Sequence, residues 1–172
     1  LTQSAQKGFG TAYLSIGSNI GDKRANCLMG IGALVSSNHI RLIARSRIYQ
    51  TDPVDFLEQD WFINLAISIE TTLEPAELMN ELQQIEESAG RKRGPIRFGP
   101  RILDMDLLLF EDRVLHTPAL IIPHPRMHER RFVLQPLCDI APDVIHPVLK
   151  ETVRELLLRL NDLPSGVRPV DD

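Results

Sequence analysis

Two aspartates, Asp104 and Asp106, interrupt an apolar run from Leu103 to Phe110 that follows the Gly99-Pro100 punctuation. The β-propensity of the run and its sharp boundary predict a buried strand rather than a helix. Alternate side chains on a strand share a face, so both acids look one way while Leu103, Met105, Leu107 and Leu109 look the other. Their carboxylates would lie about 6 to 7 Å apart along the strand. Like charges at that spacing raise one pKa or require a cation between them, and an oxygen-only donor set suits a hard ion such as magnesium. The plainer alternative is a solvent-facing side of the strand, and D-x-D alone does not choose between them.

The flanking residues bear on that choice. Arg91, Arg93, Arg97 and Arg101 precede the strand, and His124, Arg126, Arg130 and Arg131 follow it. Pro123 and Pro125 bracket His124 and hold it in an extended loop. Guanidinium forks match phosphate oxygens, and metal-bound carboxylates match the bridging oxygens of a triphosphate. Any one of these arginines alone reads as solvated surface, and His124 alone as a structural histidine. Together, flanking one D-x-D, they point to phosphoryl-type transfer, in which the protein positions groups and neutralises charge. Nine of the 19 Lys and Arg fall between Arg91 and Arg131, against five acids, in a chain of formal net charge −4. A basic zone in an acidic protein suits a compact polyanion better than a long phosphate backbone, so no nucleic-acid partner is expected.

The elements that must position these groups follow from patterning. Thr11 to Ile16 alternates and ends in G-S-N-I-G-D, where glycines stop a strand and Asp22 offers an N-cap. A helix over about Lys23 to Ser37 carries Leu28, Ile31, Leu34 and Val35, with Gly30 and Gly32 explained by close packing on a sheet. Ile40 to Tyr49 predicts one strand, Gln50 to Asp60 an exposed loop, and Trp61 to Thr71 a third strand. A helix beginning at Pro75 repeats Leu78, Leu82, Ile85 and Ala89 and stops at Gly90. The order to this point, strand, helix, strand, strand, helix, strand, is the split βαβ pattern of a ferredoxin-like α+β sandwich, with helices on one face of an antiparallel sheet. A C-terminal helical extension follows: a short helix from Arg130 to Leu137 stopped at Pro136, and an amphipathic helix from Thr152 to Leu160.

A chain of 172 residues fits one domain able to bury a core without disulfides. Residues 1–10 read as a flexible lead-in without the apolar centre of a signal peptide, 11–162 as the domain, and 163–172 as a polar tail. The 43% hydrophobic and 24% charged shares are those of a globular protein, and no apolar run approaches membrane-spanning length. Two cysteines, Cys27 and Cys138, far apart and outside any C-x-x-C, fit free thiols in a reducing cytoplasm.

The run G-P-R-I-L-D-M-D-L-L-L-F, followed by P-H-P-R-M-H-E-R-R-F-V-L-Q-P-L, resembles the 6-hydroxymethyl-7,8-dihydropterin pyrophosphokinase family of folate biosynthesis. The early G-S-N-I-G-D and the Y-Q-T-D-P from Tyr49 to Pro53 extend the likeness over about Thr11 to Leu160. The resemblance implies transfer of the β,γ-diphosphate of ATP to the pterin's hydroxymethyl group, release of AMP, and two magnesium ions. It implies that Asp104 and Asp106 are the metal ligands and, with Arg91, Arg93 and Arg101, form the catalytic set. Gln83, Glu86, Arg93, Arg97, Arg101, Leu107, His124 and Arg130 match positions around ATP, Leu107 through its backbone. Thr51, Pro53, Val54, Asn64 and Phe132 match the pterin side. A flat polar heterocycle suits an aromatic face plus an amide that donates and accepts at once. Phe98 stands where several members have tryptophan, and Pro125 where some have tyrosine.

The competing class is a ferredoxin-like RNA-binding module, which stacks bases on exposed strand aromatics. The nine aromatics here form no such strand pattern, and two acids occupy the relevant strand instead. Small-molecule substrates, a monomer and no membrane partner complete the expectation.

Overall fold

The computed structural model describes residues 8–55, 57–90, 99–160 and 166–170. In chain order these form β1 (Gly10–Ser18), α1 (Lys23–Val35), β2 (Ile40–Arg45), β3 (Ile48–Thr51), β4 (Phe62–Thr71), α2 (Pro75–Ser88) and β5 (Asp104–Phe110). A small hairpin of β6 (Leu115–His116) and β7 (Ile121–Ile122), a 3-10 turn at Met127–Glu129, α3 (Arg131–Ile140), α4 (Val153–Arg159) and β8 (Val167–Val170) follow. The main sheet runs β5-β1-β4-β3-β8, with β2 also paired to β4, and every pairing is antiparallel. This is the α+β sandwich that the order of elements predicts. No helix among the described residues is long and apolar enough to cross a membrane.

Alternation on the strands builds two cores. Leu14 and Ile16 of β1, Ile63, Leu65, Ile67 and Ile69 of β4, and Met105 and Leu107 of β5 pack with Ile31 and Leu34 of α1 and Leu78 and Leu82 of α2. On the opposite face, Ala66 and Leu108 meet Val133, Leu134 and Leu137 of α3 and Val153 and Leu156 of α4. The helices therefore cover both faces, not the one expected, because the C-terminal extension folds back over the second. That is why β4 is buried almost without interruption.

Several local expectations change. Leu109 does not share the face of Leu107: Leu14 pairs with Leu107 and Tyr13 with Leu109, so Leu108 is an extra residue that turns Leu109 to the second core. Ile40 to Tyr49 is two strands, broken at Ser46. The Ser46 N–H still donates to the Ala66 carbonyl at 2.9 Å, but the Ala66 N–H turns to the Ser46 hydroxyl at 2.9 Å, which itself donates to the Arg47 carbonyl at 2.6 Å, so a side-chain bond takes the place of a ladder bond. Gly30 is required by packing, since a Cβ there would lie 2.8 Å from a Leu103 methyl, whereas nothing stands within 4 Å of one at Gly32. The packing explanation holds for Gly30 alone.

Helix α3 runs through Pro136 to Ile140. Proline removes one helical hydrogen bond, yet Leu137, fully buried, holds the last turn to the core, and Asp139 bonds Tyr49 and Arg47. In the segment expected to trail away, Val167–Val170 pairs with β3, and Pro169 occupies an edge strand where its missing N–H costs little. At α2 the expectation holds: Pro75 opens the helix, Glu77 accepts from the Glu74 N–H at 2.7 Å, and Gly90 ends it at φ 95°.

Candidate active site

One row across the sheet sets the site. Gly17 of β1 stands between Asp104 of β5 on one side and Asn64 of β4 on the other. Adjacent strands lie about 4.8 Å apart, so the acid and the amide are separated by roughly 10 Å, the width of one strand on either side of a glycine. Along this face the residues change character. Phe62, Asn64, Asp104 and Asp106 line a cavity, while Ala66 and Leu108 farther along enter the core under α3. Thr51, Asp52, Val54, Asp55, Gln59, Arg101, Arg130 and Phe132 complete the wall with Gly17.

The glycine is there for Asn64. A Cβ at Gly17 would fall 2.5 Å from the Asn64 Oδ1, so only a residue without a side chain leaves room for the amide. The Asn64 Nδ2 donates to the Thr51 hydroxyl at 2.7 Å, which fixes its orientation on a rigid strand. Phe132, in the first turn of α3, and Phe62, two residues before Asn64 on β4, supply the aromatic surfaces.

At the acidic end, Arg101 pairs with Asp104 through Nη1. Its backbone is held twice by Asn19: the Asn19 N–H donates to the Arg101 carbonyl at 3.0 Å, and the Arg101 N–H to the Asn19 Oδ1 at 2.7 Å. The Asn19 Nδ2 donates to Gln59 Oε1 at 3.0 Å, tying the same residue to the loop after β3. Glu86 reaches from α2 into the sheet, where its Oε1 accepts from the Met105 N–H, between the two aspartates, at 2.7 Å. The His124 N–H donates to the Leu108 carbonyl at 2.9 Å, so the loop after β7 is anchored to β5.

The electrostatics follow from burial. The Asp106 carboxyl is pushed up, first by burial and then by the Asp104 charge, with Arg130 and Arg101 opposing. His124 is pushed down to about 4 by burial, then by the neighbouring Arg130 charge, so its ring is neutral at physiological pH. Four carboxylates line the cavity, Asp52, Asp55, Asp104 and Asp106, against two guanidiniums, Arg101 and Arg130, among the described residues. The two on β5, Asp104 and Asp106, are the pair that suits a bound cation.

Residues 13–142 match the family model of 7,8-dihydro-6-hydroxymethylpterin-pyrophosphokinase (HPPK). The chain belongs to this family. It is 43% identical over 160 residues to the 2-amino-4-hydroxy-6-hydroxymethyldihydropteridine pyrophosphokinase of Methylorubrum extorquens, covering 93% of this chain and 98% of the relative. The Bacillus subtilis protein of the same name is 44% identical over 133 residues, 77% of this chain and 79% of that one. Among solved structures, the HPPK-DHPS of Plasmodium falciparum superposes with a TM-score of 0.76 at 17% identity, a likeness of fold. That match covers 96% of this chain, which spans 46% of the larger one.

Set against the pyrophosphokinase assignment, the structure brings Thr51, Val54, Asn64, Arg101, Asp104, Asp106, Arg130 and Phe132 to one cavity. Pro53, Gln83, Glu86, Leu107 and His124 do not line it. Gln83 is exposed one turn before the buried Glu86, and the Leu107 side chain is in the core, leaving only its backbone for a ligand. Arg91, Arg93 and Arg97, with Phe98, lie outside the described residues. Sequence reasoning passed over Gly17, Asn19, Phe62 and Gln59. Phe62 was within reach, since it shares a strand face with Asn64 at i, i+2. Gly17 and Asn19 stand in the G-S-N-I-G-D run that carries the resemblance, but their contacts, like those of Gln59, are made across strands and loops distant in sequence.

Proposed function

We propose that this pyrophosphokinase moves the β,γ-diphosphate of ATP to the hydroxymethyl oxygen of 6-hydroxymethyl-7,8-dihydropterin with Asp104 and Asp106 as magnesium ligands. The observation that carries the assignment is the row Asp104, Gly17, Asn64, which sets a charged end and a heterocycle end in one cavity a strand apart. No group of three or more His, Cys, Asp or Glu that could hold a metal forms among the described residues. Two carboxylates fit magnesium all the same, because that ion is commonly held by one or two carboxylates with water and substrate phosphates completing the shell. Bound there, two magnesium ions would screen the charge that develops on the phosphates.

The chain's own groups do the rest. Arg101 and Arg130, with Arg91, Arg93 and Arg97, grip the triphosphate; Gln83, Glu86, His124 and the Leu107 backbone stand on the nucleotide side. Phe132 stacks on the pterin, the Asn64 amide meets its polar edge, and Thr51, Pro53 and Val54 close that side. This places the hydroxyl oxygen in line with the β-phosphorus. A bond forms between them, the bond from that phosphorus to the α,β-bridging oxygen breaks, AMP departs with the oxygen, and the hydroxyl proton passes to solvent. No side chain is assigned as general base. The free thiols of Cys27 and Cys138 suit a reducing cytoplasm.

The test is the nucleotide product formed from ATP, magnesium and the pterin alcohol. AMP, with loss of turnover on chelation of the metal, supports the assignment. ADP, or undiminished turnover in chelator, would overturn it.

A further inference from the structure

Asp55 has no part in the assignments above, yet it is placed unusually. Its backbone lies in the left-handed region at φ 69°, where side chains other than those of Gly, Asn and Asp are strained. From there its carboxylate meets two guanidiniums, one lining the cavity and one outside it. Arg126 donates from Nη2 to Oδ1 at 3.0 Å and from Nη1 to Oδ2 at 3.2 Å, and the Arg130 Nη2 donates to Oδ2 at 3.4 Å. Asp55 and Arg130 line the cavity whereas Arg126 does not, so Arg126 holds the acid from outside while Arg130 meets it within. The Arg130 side chain is only 11% exposed, which leaves its guanidinium few other directions in which to take a large anion.

Arg126 holds the Asp55 carboxylate in a two-point fork and Arg130 adds a single contact to Oδ2, so the acid occupies a guanidinium position that a phosphate oxygen would take. The cavity already carries more carboxylates than guanidiniums among the described residues, so an entering triphosphate gains most where it exchanges with an acid. We propose that Asp55 is an internal stand-in for a nucleotide phosphate at Arg130, displaced when the triphosphate binds. Asp55 thereby lowers the nucleotide affinity of the ligand-free protein. The inference rests on the proposed role of Arg130 in holding the nucleotide.

Calorimetric titration of the full chain with magnesium and α,β-methylene ATP, without pterin, tests it. Asp55→Asn keeps the shape and tolerates the left-handed backbone, and Asp55→Gly removes the side chain while relieving the φ. Both should bind the analogue about tenfold more tightly than wild type. Asp52→Asn, which removes a neighbouring cavity carboxylate 3.8 Å from the Arg168 Nη2, should change affinity less than about threefold, the reach of general electrostatics. Unchanged or weaker binding in both Asp55 variants, or equal tightening in Asp52→Asn, overturns the proposal. Arg130→Ala separates the two layers. If it binds like wild type, the nucleotide role of Arg130 is wrong and the stand-in falls with it; if it binds weakly while the Asp55 variants are unchanged, the stand-in alone is wrong.

Discussion

Asp104 has Arg101 as its ion-pair partner, whereas burial and the Asp104 charge both resist ionisation of Asp106. An amide at 106 should therefore relieve a cost to folding and remove a ligand at once. Asp106→Asn is expected to lower AMP release by about a hundredfold or more, the scale of losing one electrostatic group at a reacting centre, while its urea midpoint stays at or above wild type. A midpoint well below wild type would mean that the charge supports the fold. Gly17 belongs to the same scale. Gly17→Ala drives a methyl into the Asn64 amide, so the KM for the pterin alcohol should rise about tenfold or more while the KM for ATP holds. A matching rise in both would detach Asn64 from the pterin.

At the scale of elements, β8 and the loop after α3 bear on stability. The four pairs between β3 and β8 predict that removing residues 166–172 costs about 1 to 3 kcal/mol, read as a lower urea midpoint. Buried His146 has a depressed pKa, through burial and then the neighbouring His128, and its Nδ1 accepts from the N–H groups of Val148 and Leu149. A proton on Nδ1 would end both bonds. The unfolded chain therefore takes up the proton first: stability is fully present above about pH 6.5 and falls as pH drops through the lower, folded pKa. Urea midpoints between pH 7.5 and 5 should fall, and more gently in His146→Asn, though not to zero because His124 contributes with the same sign. Patterning recovered the elements whose reasons are local. Asp22, which caps α1 by accepting from the Ala25 N–H, Pro75 and Gly90 marked helix ends, and the i, i+2 spacing put both aspartates on one face. It failed where a distant partner decides: the Ser46 break is set by Ala66, β8 by the free edge of β3, and the continuation past Pro136 by the burial of Leu137.

For the molecule as a whole, one sheet face is divided in two. Under α3 and α4 it is core, and beyond them Asp104, Gly17, Asn64 and Phe62 open it into the cavity. The D-x-D strand and the Asn64 strand are members of one sheet with β1 between them, so under the proposed assignment the distance between phosphates and hydroxyl is set by strand spacing rather than by loops. The central claim is that this distance serves attack at the β-phosphorus. The direct measurement is a single turnover with ATP labelled at that phosphorus, magnesium and the pterin alcohol. Label recovered in the pterin product beside unlabelled AMP is the predicted result, and label retained in ADP would contradict it.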